Sequence, residues 1–171
     1  ILLYSKMACE CIPKWHYFAW DTGVMIYFNC ANRLVDQEMY PEAVRRYEKA
    51  LVLRREALRF DLEAYIEGAC TTISPALILL RKAYALLNSH NKKQQSAAIK
   101  ILQNHASLQK DAGAQLSYVR CCKHLLSQGQ LQWREIGKKM LVRIEKNNLP
   151  SIAHPLYLDL LQEFLLFFLK Y

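Results

Sequence analysis

Glycine and proline are scarce in this chain, five of each in 171 residues. A sheet-rich fold needs turn residues at each reversal, so the shortage excludes a design of many short strands. No glycine-rich phosphate loop occurs, which removes the folds that cradle phosphate on backbone N–H groups. The six cysteines, Cys9, Cys11, Cys30, Cys70, Cys121 and Cys122, fall in no C-x-x-C frame. A chain this long and apolar has no need of disulfide staples, so they read as reduced thiols of an intracellular protein, cytoplasmic or nuclear. A long uninterrupted apolar run is missing as well. The tail "LYLDLLQEFLLFFLKY" (156–171) comes nearest, but Asp159 and Glu163 interrupt it, and it is shorter than the roughly 20 residues a helix needs to cross a bilayer. No transmembrane segment is expected. The tail reads instead as a buried or partner-facing helix, with Leu160, Leu161, Phe164, Leu165, Phe167 and Phe168 covering most of its surface.

Acidic residues are short in one region. Residues 68–128 hold Arg81, Lys82, Lys92, Lys93, Lys100, Lys110, Arg120 and Lys123 against Asp111 alone, and most of the net charge of +8 arises there. Such a field favours an acidic protein surface, a phosphate backbone or an anionic membrane. The lysines of 92–123 do not form one stripe at 100° per residue, so the field is a surface and not a track.

What is present is helix-forming sequence. Hydrophobic residues make up 53% of the chain and charged ones 22%, an ordinary globular balance. The expected fold is all-α, an antiparallel helical bundle or short helical-repeat array of about seven helices. Residues 1–171 read as a single helical domain. The chain begins at Ile1 and shows no signal peptide, so it is expected to be a fragment of a longer protein.

A first helix is expected to end near Cys11, before Pro13, followed by the aromatic connection "KWHYFAW". Asp21 or Thr22 is placed to cap the next helix, which carries Val24, Tyr27, Phe28, Ala31, Leu34 and Val35 on one face and ends near Glu38. Pro41 suits the first turn of its antiparallel partner. From Glu42 to Glu67 no Gly or Pro intervenes. Alanine recurs every seven residues at Ala43, Ala50, Ala57 and Ala64, each followed by a bulky residue, which predicts a seam of close helix packing. Gly68 ends that run, and Ser74 and Pro75 supply a cap and first turn for a helix reaching about Leu87. One further helix is expected from Asn91 as far as Ser127, bent at Gly113, with Ala97, Ile101, Leu108, Ala112, Leu116 and Val119 inward. Another spans about Leu131 to Lys146, and Pro155 opens the tail helix.

The stretch "YPEAVRRYEKAL" (40–51) places Ala43, Tyr47 and Ala50 at intervals of four and three, and Ala76, Leu80 and Ala83 repeat them 33 residues on. It resembles the second helix of a tetratricopeptide repeat, with Tyr27 and Ala31 near the bulky and small positions of the first helix. The same residues also look like the middle of an MIT-type three-helix module. The resemblance covers 22–90 and implies helical hairpins that hold a protein partner.

Catalytic and metal chemistry find little footing. Cys9, Cys11 and His16, or Cys121, Cys122 and His124, supply three ligands where zinc uses four converging ones, and adjacent cysteines on a helix diverge by about 100°. Buried free thiols are the simpler reading. His105 is expected on an inward helix face, with no nucleophile motif beside it. Arg45, Arg46, Lys49, Arg54 and Arg55 are interleaved with acids and read as a solvated face, Glu42 pairing with Arg46. The expected protein is therefore not an enzyme and uses neither metal nor cofactor. It is a protein–protein interaction or scaffold domain that takes a helical or acidic partner segment. The candidate contact residues are Arg81, Lys82, Lys92, Lys93, Lys100, Lys110, Phe164, Phe167 and Phe168. Self-association through the apolar ends is a further expectation, and the alternative is a basic helical nucleic-acid-binding domain.

Overall fold

The computed structural model describes residues 17–60, 73–89, 91–104, 112–127 and 134–139, and all of its regular structure there is helical. The elements are α1 (Tyr17–Asp36), α2 (Tyr40–Phe60), α3 (Pro75–Leu87), α4 (Lys92–Asn104), α5 (Ala112–Ser127) and a short α6 at 134–139. The fold is all-α. Of the helices expected beyond these, the N-terminal one and the tail lie outside the described residues, as do Lys110, Phe164, Phe167 and Phe168.

α1 and α2 form an antiparallel hairpin closed by three residues, Gln37 to Met39. The closure is a Schellman turn: Met39 N–H donates to Leu34 C=O at 2.8 Å and Glu38 N–H to Val35 C=O at 3.0 Å. Glu38 takes the left-handed conformation this turn requires, with φ of 59°. α1 starts at Tyr17, earlier than a cap at Asp21 or Thr22 would allow. Nothing in "YFAW" breaks a helix, so the aromatic connection is partly helix and both cap candidates lie inside it.

Three small residues of the hairpin seam are fully buried beside the large Tyr47. Ala31 of α1 and Ala43 and Ala50 of α2 have no exposed surface, so the two backbones approach closely, and Tyr47 fills the space between them. Its ring meets Phe28 edge-on at 5.9 Å, and its hydroxyl donates to Asn32 Oδ1 at 2.7 Å. The inner half of the alanine ladder thus packs as its spacing predicted; Ala57 and Ala64 lie outside the described side chains.

α3 packs on α2, α4 and α5. Ser74 caps it by accepting from Leu77 N–H at 3.0 Å, and Pro75 sits in its first turn. Ile78, Leu80, Ala83, Ala85, Leu86 and Leu87 are all buried, so the helix is apolar almost all round, as an element with neighbours on several sides must be. Its C-terminal carbonyls are satisfied by Asn88, by Ser89 Oγ on Leu86 C=O, and by Gln95 Nε2 from α4, which reaches Leu87 and Ser89 C=O.

In place of one helix from Asn91 to Ser127 there are two, α4 and α5, each packed on α3. A single phase imposed on both puts Ala97 inward, whereas Ala97 is exposed and Ala98 and Leu102 are buried. On α5 the buried set is Ala114, Tyr118, Val119, Cys121, Cys122 and Leu125. α6 lies against α5 at Gly137, whose carbonyl accepts from Cys122 Sγ at 3.2 Å. Among the described residues, no helix is long and apolar enough to cross a membrane.

Candidate functional site

The basic residues do not act as one surface. Lys82 turns to α2 and meets Glu48 at 2.9 Å, its side chain only 17% exposed. Its charge is spent on the α2–α3 joint. Lys92 and Lys93 open α4 and Lys100 lies further along it, all three exposed. On α2, Arg45 pairs with Glu42 at 3.9 Å, and Arg46, expected in that role, sits over the Tyr27 ring at 5.8 Å from its centroid. Three residues on is the more natural reach here, and the aromatic face offers Arg46 a cation–π contact instead. Arg54, read as part of the solvated face, is buried.

Arg81 faces the other way from Lys82, into a cleft of about 440 Å³. One wall is α5, which contributes Arg120, Lys123, His124 and Ser127. The floor is Arg81 and Tyr84 of α3, and the rim is Val35 and Asp36 at the end of α1 with Tyr40 at the start of α2. The helix period explains the convergence. Residues 120, 123, 124 and 127 share one face of α5, while Tyr118, Cys122 and Leu125 go to the core. Positions 81 and 84 likewise share a face of α3.

The cleft is electrostatically one-sided. Among the described residues three cationic side chains and one carboxylate, Asp36, line it, and Asp36 is exposed at the rim. Among the described residues neither Arg81 nor Arg120 forms an ion pair, and Arg81 Nε has no hydrogen-bond partner. Burial, and then the neighbouring Arg120 charge, pull the proton affinity of Arg81 below its ordinary value, with Tyr47, Cys121 and Asp36 acting in the opposite direction. A guanidinium stays charged even so. Two mutually repelling cations in a half-buried recess are a standing demand for an anion.

His124 is held rather than poised. Its ring meets Tyr84 edge-on at 6.1 Å. Burial lowers its pKa, and a hydrogen bond with the Leu87 backbone offsets part of that. The neighbouring thiols, Cys121 and Cys122, are fully buried; Cys121 Sγ points to Leu80 C=O at 3.7 Å, and Cys122 Sγ to Gly137 C=O. Burial pushes the Cys122 thiol up to about 12 and raises Cys121 too, so both are inert thiols. Because the two sulfurs serve different helices, they share no ligand geometry with His124. Among the described residues no group of three His, Cys, Asp or Glu side chains is placed to hold a metal.

Of the described residues singled out from sequence, Arg81 reaches the cleft and Lys82, Lys92, Lys93 and Lys100 lie elsewhere. Arg120, Lys123, Tyr40, Tyr84 and Asp36 were missed as site residues. The polar stripe 120, 123, 124, 127 on an otherwise buried helix was the available signal. No family model, curated protein or solved structure matches the chain, and the cleft is therefore the strongest pointer to what the protein does.

Proposed function

We propose that this chain is a non-catalytic protein–protein interaction domain that holds an acidic segment of a partner in the cleft between α1, α3 and α5. The observation that carries the reading is the pair Arg81 and Arg120, half-enclosed in one recess with no ion pair to either among the described residues. Retaining uncompensated charge inside a fold opposes stability, so an external anion that completes the pair would bind with a favourable Coulombic gain. The helical hairpin of α1 and α2, with Ala43, Tyr47 and Ala50 buried in its seam, is the construction a tetratricopeptide-like scaffold uses. An MIT-type module would bury the same residues, and the proposal concerns the cleft whichever family packing it shares.

Fluorescence anisotropy tests this with three labelled probes: an acidic decapeptide, a duplex DNA and a single-stranded RNA of matched length. The peptide is expected to bind at low salt, and Arg81→Glu is expected to abolish that binding. Absence of peptide binding at low salt overturns the proposal. Tighter binding of either nucleic acid, with a steep logarithmic loss of affinity as salt rises, favours the nucleic-acid-binding alternative.

A further inference from the structure

We propose that the cleft is the seat of a phosphorylated serine or threonine side chain from a partner protein, its phosphate oxygens taken by the guanidinium groups of Arg81 and Arg120. This rests on the reading that the cleft binds an acidic segment, and it narrows the acid to a dianion.

Size is the first ground. A volume of about 440 Å³ lies in the lower part of the range of small-ligand pockets, roughly 300 to 1,000 Å³. It admits one extended side chain with its neighbours, whereas a helix with side chains is about 10 to 12 Å across. The occupant is a side chain entering from an extended segment.

Charge is the second. Among the described residues the cleft holds two guanidinium groups without an ion pair, Arg81 and Arg120, and its carboxylate, Asp36, is exposed at the rim. A single carboxylate would leave the excess only half compensated, while a phosphomonoester carries about −1.5 to −2 at neutral pH. Donor chemistry is the third. Arginine presents a planar fork of N–H groups that matches phosphate oxygens two at a time, and two such forks converge here, with the phenols of Tyr40 and Tyr84 in the same lining. The contrast with Lys82 is instructive, since its charge is already matched by Glu48 at 2.9 Å. Among the described residues Arg81, one residue away, forms no ion pair.

The test uses the full chain and three synthetic pentapeptides of glycine, with a central phosphoserine, an unmodified serine, or two adjacent glutamates. Isothermal titration gives affinities, and the arginine Nε–H resonances report the site. The phosphoserine peptide is expected to bind about tenfold tighter than the glutamate peptide and to shift the Arg81 and Arg120 signals. Arg120→Lys keeps the charge and the fold but loses the fork, and is expected to weaken phosphoserine binding at least as much as the glutamate peptide falls short. Arg55→Glu, on exposed α2 surface, lowers net charge without touching the cleft and is expected to leave it nearly unchanged. Equal affinity for the glutamate peptide overturns the phosphate assignment and leaves the acidic-segment reading standing. Binding of neither acidic peptide overturns both. Equal weakening by Arg55→Glu and Arg120→Lys overturns the assignment to this cleft.

Discussion

Tyr47 of α2 donates its hydroxyl hydrogen to Asn32 Oδ1 of α1 across 2.7 Å, in a seam that also buries Ala31, Ala43 and Ala50. The bond ties α1 to α2 across the hairpin. Tyr47→Phe keeps the ring and its edge contact with Phe28 and deletes only this bond, so we expect a loss of about 1 kcal/mol. Tyr47→Ala also empties the seam and should cost about 3 to 5 kcal/mol. Urea denaturation of both variants checks the order and the sizes; near-equal losses would mean that the ring contributes little.

Glu38 occupies the left-handed position of the Schellman turn, φ 59°, where a side chain is unfavourable by roughly 1 to 2 kcal/mol relative to glycine. Glu38→Gly relieves that strain but also loosens the unfolded chain, and a net gain of about 0.5 to 1 kcal/mol is expected. A thermal midpoint raised by a few degrees would bear this out. A lowered one would mean that the carboxylate makes a contact worth more than the strain.

At the α5–α6 contact, a Cβ on Gly137 would stand 2.9 Å from both Cγ and Cδ2 of Leu126. Real Cβ atoms do not approach so closely, and Cγ is not the free end of the side chain. Gly137→Ala is therefore expected to destabilise the chain by about 1 to 3 kcal/mol. Adding Leu126→Ala should cost less in that background than in the native one, giving a favourable coupling energy in a double-mutant cycle. Strict additivity would show that α6 shifts instead of colliding.

His124 has its pKa lowered in the folded state, chiefly by burial, from an ordinary value of 6.5. The unfolded chain therefore takes up a proton before the folded one does. Stability should be complete above about pH 6.5 and decline as pH falls from there toward the folded-state pKa. His124→Gln is expected to flatten that part of the profile, measured as urea midpoints between pH 5 and 8. A variant that keeps the full slope would place the titration on another residue.

The parts legible in the sequence are those set within a few residues. Ser74 and Pro75 announce the start of α3, and the spacing of Ala43, Tyr47 and Ala50 announces a packed seam, because helix caps and helix faces are local properties. The left-handed turn was hidden because glutamate stands where glycine usually marks it. The division of α4 from α5 was hidden because each carries its own apolar phase and no glycine or proline stands between Asn91 and Gly113. Most of all, the meeting of Arg81 with Arg120 depends on how α3 crosses α5, which no window of sequence contains. Of the described residues that charge counting singled out, Arg81 lies in the cleft and Lys82, Lys92, Lys93 and Lys100 lie on other surfaces.

Among the described helices, α3 touches four neighbours with 13 residues, α2, α4 and α5 broadly and α1 more slightly. Helical arrays are commonly described as chains of nearest-neighbour couplings, in which an end can peel away and leave the rest intact. A branched contact of this kind removes that freedom. Opening α3 uncovers the faces of α2, α4 and α5 together, so its amides should exchange with solvent only when the whole assembly opens, and the hairpin of α1 and α2 has no separate route to unfolding through its α3 side. Since Arg81 rides on that same helix, an anion lodged in the cleft would slow exchange well beyond the residues it touches.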